Sequence, residues 1–181
     1  MKKRRIFIGS FIKIDNNKYN KIKKELKDAV LGRWTPLENF HITYKFIGEV
    51  DENQLENIKY QLKEEINKIK NVNISLDGLG AFPSIYNPKV LFIKANENES
   101  CLTDIHNFVE DRLSFLGIKK SEKEFVPHIT LMRIKKYRIE NFLKGIHKFK
   151  DYNFGTIKEI EVNIIESILN PKGAIYKKIS D

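Results

Sequence analysis

Apolar positions along the chain change their period several times, and each change marks an element. Ile6 to Ile14 is a short β-branched and aromatic run of the kind a buried strand uses. After a polar turn at Asp15 to Asn17, apolar residues recur at Ile22, Leu26, Ala29 and Val30. That is a helical stripe with a lysine-rich outer face; Gly32 stops it, and Trp34 and Pro36 fall in a loop. Phe40 to Ile47 alternates as a strand ending before Gly48. Asp51 with Gln54 three positions on resembles a capping box, and Leu55, Ile58, Leu62, Ile66 and Ile69 predict one long helix behind it. Val72, Ile74 and Leu76 alternate into a strand through Gly78 and Gly80, where a bulge or close backbone approach is expected. Pro83 to Pro88 reads as a loop and Val90 to Ala95 as the next strand.

The second half repeats this order. Asn98 is placed to cap a helix carrying Leu102, Ile105, Val109, Leu113 and Leu116, with Gly117 as its stop. A basic loop leads into a strand around Pro127 to Leu131, and Ile139, Phe142, Leu143 and Ile146 predict a short helix. Ile160, Val162 and Ile164 alternate as a strand, Asn170-Pro171-Lys172-Gly173 is a turn signal, and Ala174 to Ile179 is a last strand. Both halves therefore run strand, helix, strand, helix, strand, the second adding one terminal strand, and no Gly-, Ser- or Pro-rich linker divides them. This predicts an α+β fold of two packed, pseudo-symmetric lobes with a cleft between them. The expected unit is a single domain, an internal duplication with halves 1–85 and 86–181. A one-sheet α/β protein is the competing topology.

Composition narrows the classes. A chain of 181 residues with ordinary hydrophobic content can bury a real core. Its net charge of +9 favours anionic partners such as RNA, although a merely solvated surface rich in lysine carries the same charge. The single cysteine, Cys101, rules out an intramolecular disulfide and a cysteine-rich zinc site, and its helical pattern reads as core. Met1 to Arg5 followed by Ile6 to Ile14 mimics a signal peptide, but Lys13 interrupts the run, Asp15 ends it and no small-residue cleavage site follows. No stretch approaches the roughly 20 apolar residues of a membrane span. A cytoplasmic protein with no membrane association is expected, and a monomer, since no spare apolar helix face stands out.

Two of the four histidines sit in the same tripeptide, His41-Ile42-Thr43 and His128-Ile129-Thr130, inside the same kind of strand pattern. Side chains alternate across a strand, so each copy presents an imidazole and a hydroxyl together on the face its apolar neighbours do not use. Histidine can give or take a proton near neutrality, and a hydroxyl can donate to a phosphate oxygen. Two facing pairs would thus serve one anion and two proton transfers. Lys45 shares the parity of His41 and Thr43 and is a candidate to offset phosphate charge. Arg133 has the opposite parity to His128 and needs the strand end or a bulge to reach the same place. Taken singly, each histidine is more simply a structural strand residue; two identical tripeptides in matching places outweigh that. Zinc ligation is poorly served, with one imidazole per strand and no third ligand in view. No nucleophilic serine or cysteine sits in an identifiable turn motif. His106 and His147 lie in helical patterns and read as structural or surface residues.

These residues resemble the two-histidine phosphoesterase superfamily, and most closely its RNA 2′,3′-cyclic phosphodiesterases, also called 2′-5′ RNA ligases. The resemblance rests on Arg5-Ile6-Phe7-Ile8, on Asn39 to Val50 around the first tripeptide, and on Gly80-Ala81-Phe82-Pro83. It continues through Pro88 to Phe92, Phe125 to Arg133, Ser167, and Pro171 to Tyr176, so it spans almost the whole chain in order. It implies concave antiparallel sheets lining the cleft, helices outside, and hydrolysis of 2′,3′-cyclic phosphate RNA ends, tRNA halves among them, to 2′-phosphates without metal or other cofactor. His41 would be the proton donor and His128 the proton acceptor, an assignment that the near-symmetry leaves reversible. Thr43 and Thr130 would hold non-bridging oxygens. Arg133, five residues after the second histidine, would stabilise charge, and Lys45 joins them on parity alone. The same site run backwards would join RNA ends through a 2′-5′ bond. A non-catalytic module binding RNA ends in the same basic cleft is the alternative, although binding alone does not need two titratable groups.

Overall fold

Strands rich in branched and aromatic residues sort into two antiparallel sheets in the computed structural model, which describes residues 3–171 and 173–179. Met1, Lys2 and Lys172, parts of the signal-like run and of the turn signal, lie outside the described residues. In chain order the elements begin β1 (Arg4–Phe11), α1 (Asn16–Leu26), β2 (Val30–Trp34), a short 3-10 turn (Leu37–Asn39), β3 (His41–Val50) and α2 (Glu52–Leu62). They continue β4 (Ile69–Ser84), β5 (Asn87–Glu97), α3 (Cys101–Ser114), β6 (His128–Tyr137), α4 (Ile139–Lys148), β7 (Asn153–Glu161), β8 (Asn163–Asn170) and β9 (Gly173–Lys178). One sheet has the order β3-β1-β8-β9 and the other β2-β6-β5-β4-β7. The α+β class with two sheets stands, and the one-sheet alternative falls.

The two lobes are not the two halves of the sequence. The first sheet takes strands from both chain ends, and α3 packs on its β3 and against α2. In the second sheet β2 comes from early in the chain; α1 reaches it through the edge-to-face pair Tyr19–Trp34 and packs against α4. Each lobe is therefore interleaved from early and late segments.

Several boundaries differ from the hydrophobic period. The first helix ends at Leu26, and Val30 to Trp34, expected as helix end and loop, forms β2 against β6. Ala29 and Val30 are buried in either conformation, so the stripe alone could not separate them. The second helix ends at Leu62; beyond it Ile66 bridges Val162 and Asn67 adopts a positive φ of 60°. The expected loop at Pro83 to Pro88 is a tight hairpin, in which Ser84 Oγ accepts from the backbone N–H groups of Tyr86 and Asn87. The run expected as one strand over Ile160 to Ile164 is divided between β7 and β8, and β7 begins well before the apolar alternation that marks it. The third helix is held at its start by Glu97 rather than Asn98: its carboxylate accepts from Leu102 N at 2.5 Å and Thr103 N at 3.2 Å. The capping box at Asp51 and Gln54 is present.

Strand register decides which side chains reach the cleft. Along β1 and β3, Gly9 pairs with Thr43 but Ile8 pairs with Lys45, so Tyr44 is an extra residue. Along β5 and β6, Phe92 pairs with Thr130 but Leu91 pairs with Met132, so Leu131 is extra. Both bulges fall three residues after a histidine. A bulge breaks the two-residue alternation and swaps faces for everything beyond it. Lys45 consequently joins Ile8 on the core side, and the parity expectation that put it in the cleft is corrected. Its ammonium donates to both Glu110 oxygens at 2.9 and 2.8 Å and to the Lys119 carbonyl at 2.6 Å. Glu110 also accepts from Ser121 Oγ at 2.6 Å. This buried pair clips β3 and α3 to residues 118–127, the segment that delivers His128.

A buried ion pair is costly to break and cheap to replace as a whole. Lys45→Met should lose about 3–5 kcal/mol in urea unfolding, while Lys45→Met with Glu110→Leu recovers most of it. Equal losses in both proteins would show that the pair does not carry this stability.

Candidate functional site

The two tripeptides lie on β3 and β6, and these strands approach each other although they belong to different sheets. Ile42 and Ile129 are fully buried in the core, which turns His41, Thr43, His128 and Thr130 toward the space between the sheets. The bulge at Leu131 then puts Arg133 on the face of His128 and Thr130, opposite Val90 on β5. The position that simple alternation denied to Arg133 is thus supplied by one extra residue.

Both imidazoles are anchored identically. His41 Nδ1–H donates to the carbonyl of Asn39 at 2.6 Å, and His128 Nδ1–H donates to the carbonyl of Val126 at 2.6 Å, each two residues back. A carbonyl can only accept, so this bond fixes Nδ1 as the protonated nitrogen of the neutral ring and leaves Nε2 to exchange a proton. Asn39 is itself buried, and its Nδ2 donates to the Ala174 carbonyl of β9 at 2.7 Å. The bond links the turn before β3 to β9, and the His41–Tyr176 contact brings the same opposite edges of the first sheet together, where in a flat sheet strands three apart would be about 14 Å apart.

Aromatic rings hold each imidazole from the side. His41 packs against Phe7 of β1 and edge-on to Tyr176 of β9, with centroids at 4.8 and 4.9 Å. His128 packs against Phe82 of β4 and Phe92 of β5, at 4.9 and 5.1 Å. Phe7 and Phe92 are buried yet stand apart from the main core, so they form the floor of the cleft. The Phe92 ring lies where Gly80 has no side chain; a Cβ there would fall 2.5 Å from it, so the close approach expected at this glycine is made by a ring. The pattern of polar residues singles out none of these rings, because an aromatic residue on a strand reads as core. The signal that they are not lies in their pairing partners.

These surroundings lower both imidazole pKa values. Burial against the rings pushes His41 below the ordinary histidine value; the Asn39 carbonyl pulls upward, and His128 pushes it down further. Burial likewise lowers His128, against the upward pull of the Val126 carbonyl. Among the described residues Thr43 and Thr130 make no side-chain hydrogen bond and Arg133 no ion pair, so two hydroxyls and a guanidinium have no protein partner there. This set suits an anion flanked by a proton donor and a proton acceptor. Among the described residues no three histidine, cysteine or carboxylate side chains gather as a metal site.

The remaining histidines are elsewhere. His106 on α3 donates from Nδ1 to the Tyr44 carbonyl at 2.7 Å and stacks on Phe125 at 4.4 Å. It therefore supports the first bulge and the segment entering the second tripeptide. His147 is exposed on α4, and Cys101 is half-buried at the start of α3. No helix among the described residues is long and apolar enough to cross a membrane.

The family model described as LigT like Phosphoesterase matches the chain twice, over residues 12–92 and 93–176. An Aquifex aeolicus protein named RNA 2′,3′-cyclic phosphodiesterase is 33% identical over 183 residues, covering 100% of this chain and 97% of that protein. A Methanocaldococcus jannaschii protein of the same name is 40% identical over 145 residues, 80% of either chain. The crystal structure of E. coli LigT with 3′-AMP shares the fold with a TM-score of 0.71 at 17% identity, over 99% of this chain and 97% of that one.

In a proton NMR titration both site imidazoles should titrate on the acid side of an ordinary histidine, and His128→Asn should move His41 upward by removing its charged neighbour. An unmoved His41 would mean that the two rings do not sense each other.

Proposed function

Because the chain belongs to the LigT-like phosphoesterase family, we propose that it hydrolyses 2′,3′-cyclic phosphate ends of RNA to 2′-phosphates, using its two histidines as acid and base. The observation that carries this reading is the matched pair of anchored imidazoles, each with a threonine on its own strand face, on two strands that meet. The rings supply the two proton transfers that hydrolysis of a cyclic diester requires, at opposite ends of one phosphate.

His128 Nε2 takes a proton from water as the water oxygen attacks phosphorus. In line and opposite, the bond from phosphorus to the 3′ oxygen breaks, and His41 Nε2–H gives that oxygen its proton. Thr43 and Thr130 donate to the non-bridging oxygens, and Arg133 offsets the charge that builds there. The proton lost by His41 and the one gained by His128 balance, and water exchange resets the pair. A 5′-hydroxyl in place of water as the attacking group forms a 2′-5′ bond; abundant water keeps hydrolysis dominant. No step calls on a metal. RNA fragments ending in cyclic phosphate, including tRNA halves, fit this chemistry. The shared anchor and the shared bulge position support an origin of the two motifs by duplication of one unit.

Productive enzyme holds one imidazole protonated and one neutral, a state that peaks between the two apparent pKa values of the pair. Both values lie low in the free enzyme, so kcat/KM should peak on the acid side of the ordinary histidine value and fall as pH rises through neutrality. Once bound, the phosphate anion favours the protonated acid, and kcat should persist to higher pH. A kcat/KM profile still rising above neutral pH would contradict this.

His41→Ala and His128→Ala should each lose about a hundredfold or more on an oligonucleotide ending in a 2′,3′-cyclic phosphate. Mass spectrometry should find the 2′-phosphate, and a chelator should leave the rate intact. A substrate with sulfur at the bridging 3′ position, whose thiolate leaves without a proton, should restore His41→Ala but not His128→Ala. Binding with steep salt dependence and no product would identify a non-catalytic module instead.

A further inference from the structure

On the cleft face of the second sheet, β2 and β6 set Arg33 directly opposite Arg133. Like charges in directly opposed positions of an antiparallel pair are destabilising. Among the described residues neither guanidinium makes an ion pair, a hydrogen bond or a ring contact. Their neighbours along the strands, Trp34 and Met132, point to the core, so the face of the two arginines is fixed. Gly32 allows the strands to come this close: a Cβ there would fall 2.1 Å from the Arg133 carbonyl oxygen.

The two side chains also differ in where they lead. Arg133 shares its strand face with Thr130 and His128, where the reacting phosphate would sit. Arg33 is one strand farther from the histidines, and its guanidinium approaches the other lobe, with Nη1 3.6 Å from where a Cβ on Gly173 would stand. It therefore lies at the rim of the cleft, near the start of β9. A second guanidinium beside the first, one strand farther from the histidines, suits a second phosphate of one polyanion.

We propose that Arg33 binds the phosphodiester one nucleotide upstream of the terminal cyclic phosphate, and so makes the site prefer an RNA end to a cyclic mononucleotide. This rests on the cyclic phosphodiesterase reading of the same cleft. It assigns Arg33 to specificity, with Arg133 kept for the reacting phosphate. One charge-assisted contact of this kind corresponds to roughly tenfold to a hundredfold in kcat/KM.

The experiment compares three substrates: a cyclic mononucleotide, a dinucleotide with the same cyclic end, and that dinucleotide with a neutral methylphosphonate linkage. Wild-type protein should favour the charged dinucleotide over the methylphosphonate by at least about tenfold. Arg33→Gln should erase that preference, lowering the ratio of kcat/KM for the charged dinucleotide over the mononucleotide by the same factor. Turnover of the mononucleotide by Arg33→Gln verifies that the variant is folded. Undiminished discrimination between the charged and neutral linkages in Arg33→Gln would overturn the proposal. So would an equal fall on mononucleotide and dinucleotide, which would put Arg33 on the reacting phosphate. Failure of the wild-type protein to hydrolyse any of the three would instead remove the underlying reading, and this one with it.

Discussion

One extra residue in each of two strands decides what this cleft contains. Without the bulges at Tyr44 and Leu131, alternation would carry Lys45 into the cleft and bury Arg133 in the core. With them, Lys45 turns inward to Glu110 and Arg133 turns outward beside Thr130. A bulge gives up ladder hydrogen bonds, and the freed groups need other partners. At the first bulge the Tyr44 carbonyl is taken by His106, and the Tyr44 hydroxyl meets Ser10 Oγ at 2.9 Å. The irregularity is thus built into the packing of α3 on β3. The bulges occupy equivalent positions, but the residues beyond them differ: the counterpart of Arg133 is Phe46, half exposed and covered by Arg5 at 4.9 Å. The two motifs match in their imidazoles and hydroxyls, while a guanidinium on the same face comes from the second alone.

The imidazoles combine two opposed requirements. Their Nδ1 atoms are held by carbonyls, which favour a charged ring, while aromatic walls disfavour it. Burial outweighs the carbonyls, and both imidazole pKa values lie below the ordinary histidine value. An anion bound between them would shift that balance toward a protonated ring. The floor that lowers the pKa values also fixes the ring planes, and one set of side chains does both.

Holding two lobes in register falls to contacts that cross from one chain segment to another. Asn39 reaches β9, and Lys45 with Glu110 and Ser121 secures the approach to His128. His106 joins the first bulge to Phe125, three residues before His128. Each ties a residue at or near one tripeptide to a distant part of the chain. Geometry at the histidines therefore depends on buried polar groups that never touch a substrate. Arg33 and Arg133 show the converse, two charges on the cleft face that no other described residue answers.

The sequence by itself determined the α+β class, the two matching His-Ile-Thr strands, and the face shared by each imidazole with its threonine. These come from local alternation, which holds from His41 to Thr43 and from His128 to Thr130. Alternation fails one residue later, where the extra residue has no mark of its own: Tyr44 and Leu131 are apolar and fit the core pattern in either register. Only pairing with β1 and β5 reveals them. The same holds for β2, whose Val30 is buried as helix or as strand, so Arg33 stayed hidden in an apparent loop. Strand exchange between the lobes was equally invisible, because partner choice depends on segments far apart in the chain. Local periodicity fixes which face a residue takes within a regular strand; tertiary pairing decides where that regularity is interrupted.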